Sequence, residues 1–446
     1  MSNVKNMTSG NPLKLILTFA FPLIITNIGQ QFYMIVDAAI VGRGVGVKAL
    51  ASVGAADWIY WLILWSVAGL TQGFATFVAR YFGNNDYRTM SKVISHSIIL
   101  SFIIGAIFTF IGLVCTKPLL TLLKTPSDIM DGAVLYLYTM ISGTLVVTAY
   151  NMSASILRAF GNSKAPLIGM IIAALTNIGL DLLFVLVFKW GIFGAAIASV
   201  TAQGVSFIYC IFEIRKIECI EIQKSDFRID FSMSKDLLFL GLPLALQNIL
   251  ISVSGIVLQS TINLQGSIFV AGYTATNKLY GLLECSAISL GLAVNTFFSQ
   301  NYGAKQFDRV KKGVITAVKI SEVMAIIVSV LMLTCGRFML QMFIDNGESG
   351  GPDALNVAHS YLVVMLYFLV LLYPIHVYRN ALLAIGNSYW AMISGVAECI
   401  IRVIMAKIVI GILGIEALYF TEPLAWVGAF VFIVFPYYFY QKKLLN

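Results

Sequence analysis

Charged side chains are scarce in this sequence. Asp, Glu, Lys and Arg make up 11% of the 446 residues, where soluble domains carry about 25%. A water-soluble globule is thereby excluded. Histidine is scarcer still. His96, His359 and His376 are the three present, and none stands in an HExxH or similar spacing, which removes a helix-borne zinc centre. The six cysteines, at 115, 210, 219, 285, 335 and 399, form no CxxC. Scattered mostly within apolar stretches, they read as reduced packing residues. No nucleophile, base or metal constellation stands out, so an enzyme is not expected and no cofactor is implied.

What the chain has in abundance is apolar length. Hydrophobic residues make up 59% of it, and they gather into runs long enough to cross a bilayer, for which about 20 suffice. The runs are continuous rather than alternating, which argues against a β-barrel. The expected fold is an all-α polytopic membrane protein with twelve transmembrane helices, at about 13–41, 50–79, 93–115, 132–157, 166–188, 191–213, 237–263, 269–299, 313–336, 356–383, 389–411 and 414–440. The stretch after "MSNVKNMTSGNPLKL" is too long for a signal-peptide core and reads as a retained first span. With twelve spans both termini share a side. Of the 29 Lys and Arg, 20 fall on that side, 7 on the other, and Lys278 and Arg402 within spans. The bias places both termini in the cytoplasm of a cell inner (plasma) membrane protein. The net charge of +8 lies in short loops, so it points to membrane lipid headgroups as partners and not to nucleic acid.

The sequence repeats itself. Pro22 and Asn27 of "FPLIITN" match Pro243 and Asn248 of "LPLALQN", 221 residues on. Gly83 matches Gly303 at 220, and Tyr136 matches Tyr361 at 225. "RAFGNSKA" matches "LAIGNSYW" with Gly161 on Gly386, also at 225. Each repeat holds six spans, so both have one orientation and the pseudo-two-fold axis lies along the membrane normal. The expected organisation is two pseudo-symmetric six-helix lobes around a central cavity. Residues 1–213 form the first, 214–236 a solvated cytoplasmic linker or a regulatory docking segment, and 237–446 the second. The two Gly-Asn-Ser stretches read as tight turns, a left-handed glycine ending one helix and Asn or Ser capping the next. Pro22 interrupts the first helix and is a candidate hinge, or a packed bend.

Acids inside the spans carry the chemistry. Asp37 lies in "YMIVDAAIVGRG", where a carboxylate at the bilayer centre costs roughly 2.5–3.5 kcal/mol on insertion scales. Asn177 and Asp181 are four apart and share one face of the fifth span. Ser199 in the sixth span, Ala195 one turn before it, and Gln30 and Tyr33 on the face of Asp37 complete stripes on three helices. Two carboxylates, an amide, a hydroxyl and the Ala195 carbonyl suit a hard cation such as Na+. The same acids could share a proton, because such a pair resists double ionisation and titrates jointly. A polar cluster that only ties helices together is the third reading. Tyr33, Met34, Tyr150 and Met152 could line an adaptable apolar cavity with Gln30, favouring cationic amphipathic compounds through cation–π contact.

The combination of Pro22, Asp37, "LRAFGNSKAP", "NIGLD" and "GIFGAAIAS" resembles the multidrug and toxic compound extrusion (MATE) family over nearly the whole chain. The resemblance implies a V-shaped alternating-access antiporter that exports amphipathic, often cationic compounds against Na+ or H+, with a lipid-linked saccharide or lipid flippase of the same superfamily as the alternative. A monomer is expected. It also implies that Asp37, Asn177, Asp181, Ser199 and the Ala195 carbonyl form the cation site of the N-terminal lobe, with serine where threonine is usual. The second half departs from one branch of the family, having no carboxylate in spans seven or ten. It carries instead Lys278 and Glu284 in span eight, and Glu398 and Arg402 in span eleven, expected to neutralise one another or to touch substrate.

Overall fold

A computed structural model describes residues 4–344 and 350–444. All regular structure among these residues is helical. The first half supplies α1 (Pro12–Gly44), α2 (Val47–Gly83), α3 (Tyr87–Leu122), α4 (Ser127–Ser142), α5 (Thr144–Ala159), α6 (Lys164–Asp181) and α7 (Gly191–Arg215). The second supplies α8 (Phe231–Ile262), α9 (Ser267–Gly303), α10 (Phe307–Leu340), α11 (Gly351–Ala384), α12 (Ser388–Ile404), α13 (Ile410–Leu413) and α14 (Thr421–Leu444). Ten helices are each long and apolar enough to cross a membrane, and α4 with α5 forms an eleventh, bent by 47°. Between α11 and α14, α12, a π turn at Met405–Val409 and α13 follow one another over the eleventh apolar run. The chain is a multi-pass membrane protein, and the elements described are consistent with the twelve-helix arrangement.

The bend between α4 and α5 was not visible in hydropathy. It falls at Gly143, where an added Cβ would lie 2.4 Å from Cγ2 of Val200 on α7. Close approach of α7, not a proline, sets the break. At Gly161 and Gly386 the backbone is left-handed, φ 73° and 96°. Asn162 Oδ1 accepts from the Ala165 amide at 3.0 Å and caps α6, whereas Asn387 makes no such side-chain bond.

The helices sort into two compact units. The first comprises 4–9, 18–245 and 299–305; the second comprises 10–17, 246–298 and 306–444. In the first, α2 packs on α3, α4 and α5, while α7 packs on α4, α5 and α6. Its apolar core has one cluster around Phe74, Met90, Ile156 and Phe160, and another around Val41, Ile63, Leu137 and Ile141. The second unit is built from α10 on α11 and from α14 on α11 and α12. Its core gathers Leu279, Tyr361, Leu366, Tyr373 and Trp426.

Within the first unit the N-terminal stretch is sewn down. Lys5 N donates to Phe160 O at 2.9 Å and Met7 N to Gln300 Oε1 at 2.8 Å. Gln300 Nε2 donates to Ala159 O at 2.8 Å and Asn301 Nδ2 to Met7 O at 3.1 Å. The repeat is visible in the same place. A Cβ on Gly83 would lie 2.0 Å from Gln300 O, and one on Gly303 would lie 1.9 Å from Arg80 O. Gly83 and Gly303 are 220 apart, as are Arg80 and Gln300, so the two close approaches are mates under the pseudo-symmetry. Asn85 and Lys305, again 220 apart, are both left-handed at 58° and 57°.

The polar segment between α7 and α8 is a pinned strap. Arg88 on α3 grips Asp226 with two bonds of 2.6 Å. The Glu221 amide donates to Ser91 Oγ at 3.0 Å and the Asp230 amide to His96 Nε2 at 2.9 Å. Lys224–Phe227 closes as a 3-10 turn. α8 also starts earlier than hydropathy indicates, at Phe231, because Asp230 Oδ1 caps it through the Ser232 and Met233 amides at 2.8 and 3.3 Å. The Arg88 guanidinium first, and the Gln223 amide second, hold the Asp226 carboxyl down at about 2, below its usual 3.8.

Two predictions follow from these contacts. Gly83→Ala and Gly303→Ala should each destabilise the protein by about 1–3 kcal/mol, the usual cost of overpacking, read as a lowered Tm in detergent. Gly54→Ala, where an added Cβ meets nothing within 4 Å, should leave Tm unchanged or raise it. Because the Asp226 value is depressed in the fold, its contribution to the strap is complete above about pH 4 and is lost as pH falls through about 2. Amide exchange over 220–230 should therefore be slow at pH 7, and Asp226→Asn should speed it there.

Candidate cation and substrate site

Three helices of the first unit converge on the intramembrane acids. α1 carries Gln30, Tyr33, Met34 and Asp37 on successive turns. α6 ends on Asp181 and passes directly into a π turn, Leu182–Val187, an irregularity that often marks a functional position. α7 supplies Ala195 and Ser199. Asp181 and Asn177 are buried, at 0% and 1% exposure, and Asp37 is half-buried. The carboxylates of Asp37 and Asp181 lie within hydrogen-bonding reach of each other. Asn177 Nδ2 donates to Ser199 Oγ at 3.3 Å, and Ala195 is buried one turn away.

The decisive feature is what these groups lack. Asp37 Oδ1, Asn177 Oδ1 and both carboxylate oxygens of Asp181 are buried and accept no hydrogen bond. An unanswered buried acceptor costs roughly 1–3 kcal/mol, more when charged. A cluster serving only to tie helices would be expected to pair its oxygens with donors, since a half-satisfied network is worse than none. Here four acceptors stay unmet while the Asn177 amide donates to Ser199 Oγ. The donor set is all oxygen, as a hard monovalent cation or a shared proton requires. No group of three or more His, Cys, Asp or Glu placed for a metal ion occurs among the described residues, so a nitrogen–sulfur site is not in competition.

Around the acids stands a polar and aromatic shell. The Tyr33 hydroxyl lies beside Gln30 and Gln203 and near Tyr150, and the Tyr150 hydroxyl lies beside Ser206. Tyr60 and Tyr136 come close to Tyr33 and Asp57. Gln203, Ser206 and Tyr60 were missed in the sequence. Gln203 was findable, standing four residues after Ser199 on one face of α7. Met34 is half-buried. Met152 is a correction: at 3% exposure it packs in the core with Leu157 and Phe160 and presents no surface to a cavity. Pro22 is buried within a continuous α1, and Thr26 Oγ1 donates to its carbonyl at 2.8 Å.

A family model described as MatE matches residues 22–183 and again 243–408. The chain belongs to the MatE family. This is a transporter family and not an enzyme family. The two matches fall on the two repeats. Among relatives, the chain is 29% identical to the probable multidrug resistance protein YpnP of Bacillus subtilis, over 81% of this chain and 80% of that one. It is 25% identical to the probable multidrug resistance protein YoeA of the same organism, over 83% and 81%. A solved MOP superfamily transporter from Pyrococcus furiosus superposes with a TM-score of 0.91 at 22% identity, over 99% of this chain and 98% of that one. The last likeness shows the shared fold.

In the second MatE repeat a different solution appears. Arg402 Nη2 donates to Glu398 Oε1 at 2.9 Å and to Glu422 Oε2 at 2.6 Å. Its Nη1 donates to Ser254 Oγ and to Ile251 O. Arg379 Nη2 donates to Glu398 Oε2 at 2.8 Å and to Ser394 Oγ at 2.9 Å. Two guanidinium groups thus balance two carboxylates inside one unit. Glu284 lies beside Tyr280, within range of Glu398, Glu422 and Arg402. Lys278 is exposed and forms no ion pair among the described residues. It stands six residues before Glu284, on another side of α9. Sequence spacing gave the Glu398–Arg402 pair, four apart, but Glu422 has no local signal. Since breaking a buried pair strands its partner, Glu398→Gln should cost about 3–5 kcal/mol, measured as lost thermal stability of the purified protein. Lys278→Gln should cost less than 0.5 kcal/mol.

Proposed function

We propose that this protein is a secondary active antiporter that exports amphipathic, cationic drugs or toxic compounds in exchange for Na+ or H+, from an inner membrane with both termini cytoplasmic. The cation site is Asp37, Asn177, Asp181 and Ser199, with the Ala195 carbonyl as a further ligand. The observation that carries the proposal is the group of four buried acceptor oxygens without donors. The names of the MatE relatives support the drug class.

A coupling cation drives a cycle only if it binds two conformations with different strength. Neutralising Asp37 and Asp181 removes the repulsion between their carboxylates and lets α1 repack about Pro22. Tyr33, Gln30 and Met34 ride on the same helix, so the wall offered to a substrate changes with the charge of the acids. By reciprocity the substrate then weakens the cation's hold by the same factor. Aromatic faces at Tyr33 and Tyr150 favour a cationic substrate.

The test is dye efflux from proteoliposomes under separately imposed Na+ and H+ gradients. Asp37→Asn and Asp181→Asn should each lower gradient-driven efflux roughly tenfold or more, a loss of about 1.4 kcal/mol or more of coupling. Undiminished efflux in both variants would refute the assignment. Whichever gradient supports wild-type transport identifies the ion.

A further inference from the structure

The start of α8 carries a groove of about 450 Å3 that transport does not account for. Its lining residues, from Phe231 to Pro243, recur every three or four positions, which places them on one face of the helix. Twelve residues rise about 18 Å, close to the roughly 15 Å of one leaflet of a bilayer core. The lining is open to one side and almost wholly apolar along that length. Ser234 and the stem of Lys235 stand near the beginning, with Leu238, Phe239, Leu242 and Pro243 after them, so that the Lys235 ammonium belongs to the rim. Phe239 is 63% exposed and Leu242 45%. Pro243 has no amide hydrogen to present, so the deep end is wholly apolar.

Position and charge identify what fits. Residues 231–265 form a membrane span, and the strap joins it at Phe231, so the polar end of the groove lies where headgroups meet acyl chains. Ile229 and Phe231, 55% and 85% exposed, flank that boundary. Lys235 is exposed and makes no ion pair among the described residues. The nearer acid in the chain before it, Asp230, is committed to capping α8. Asp236 is exposed but lies about 100° further round the helix. A lysine above an apolar channel matches a phosphate above an acyl chain.

We propose that this groove binds one anionic glycerophospholipid, with its phosphate on Lys235 and one acyl chain along Leu238, Phe239 and Leu242 as far as Pro243. The site shares no residue with the acid cluster on α1, α6 and α7.

Native mass spectrometry of the full chain in detergent tests this, with titration of phosphatidylglycerol, diacylglycerol of the same chains, and inorganic phosphate. Wild type should retain one phosphatidylglycerol in preference to diacylglycerol. Lys235→Arg should match it, and Lys235→Gln should bind about five-fold more weakly, the effect of one cation at a lipid surface. Equal binding by Lys235→Gln overturns the proposal. So does diacylglycerol binding as tightly as phosphatidylglycerol, or inorganic phosphate displacing the lipid. A photoreactive phosphatidylglycerol on the unmodified protein should label residues 231–243; labelling confined to other helices also overturns it.

Discussion

Hydrocarbon offers no hydrogen bonds, so any polar atom carried into it must be answered from within the protein. That constraint sets the terms for both halves of this chain. The second unit answers its buried charges with fixed charges: Arg379 and Arg402 meet Glu398 and Glu422 through bonds of 2.6–2.9 Å, although neutral groups there such as Gln247 Oε1 and Tyr361 Oη stay unpaired. The first unit leaves its acids unanswered. Asp37, Asn177 and Asp181 keep buried acceptor oxygens without donors. A paired set of charges holds helices together, whereas unpaired carboxylates leave room for a further positive group.

The repeat sharpens the contrast. Arg402 stands 225 residues after Asn177, the offset that relates Gly161 to Gly386, and Glu422 stands 223 after Ser199. The Asn177–Ser199 contact and the Arg402–Glu422 contact are therefore counterparts, each running from the helix before a π turn to the helix after it. The π turns themselves, Leu182–Val187 and Met405–Val409, recur at the same place. In the second half an amide has become a guanidinium and a hydroxyl has become a carboxylate. A tethered positive charge thus stands in the second half where the first half has a neutral amide.

Much of this was legible in the sequence, for physical reasons. Apolar runs must be long to cross a bilayer, so the crossings are visible in hydropathy. Asn177 and Asp181 share a face because helical spacing is fixed. Contacts that depend on remote partners were not legible. Arg88 and Asp226 are 138 residues apart, and neither flanking sequence announces the other, so the anchoring of the segment cannot be read there. Gly143 breaks the fourth crossing because Val200 comes close, and nothing beside Gly143 records that. Met152 looked like cavity lining because methionine serves equally well in a core, and only burial separates the two uses.

The contacts around the N-terminal stretch show how the first unit takes in residues from both halves of the sequence. Met7–Gln300, Gln300–Ala159 and Asn301–Met7 each link the two halves. At a net 0.5–1.5 kcal/mol each, three such bonds contribute about 1.5–4.5 kcal/mol. They do not act alone, because Leu237 and Ala245 of the second half pack in the same apolar cluster as Phe74 and Phe160 of the first. Gly83 and Gly303 let the backbones approach closely at this place, since a Cβ on either would meet a carbonyl oxygen at 2.0 or 1.9 Å. Apolar burial therefore supplies the adhesion, and the hydrogen bonds with the glycine approaches fix its register.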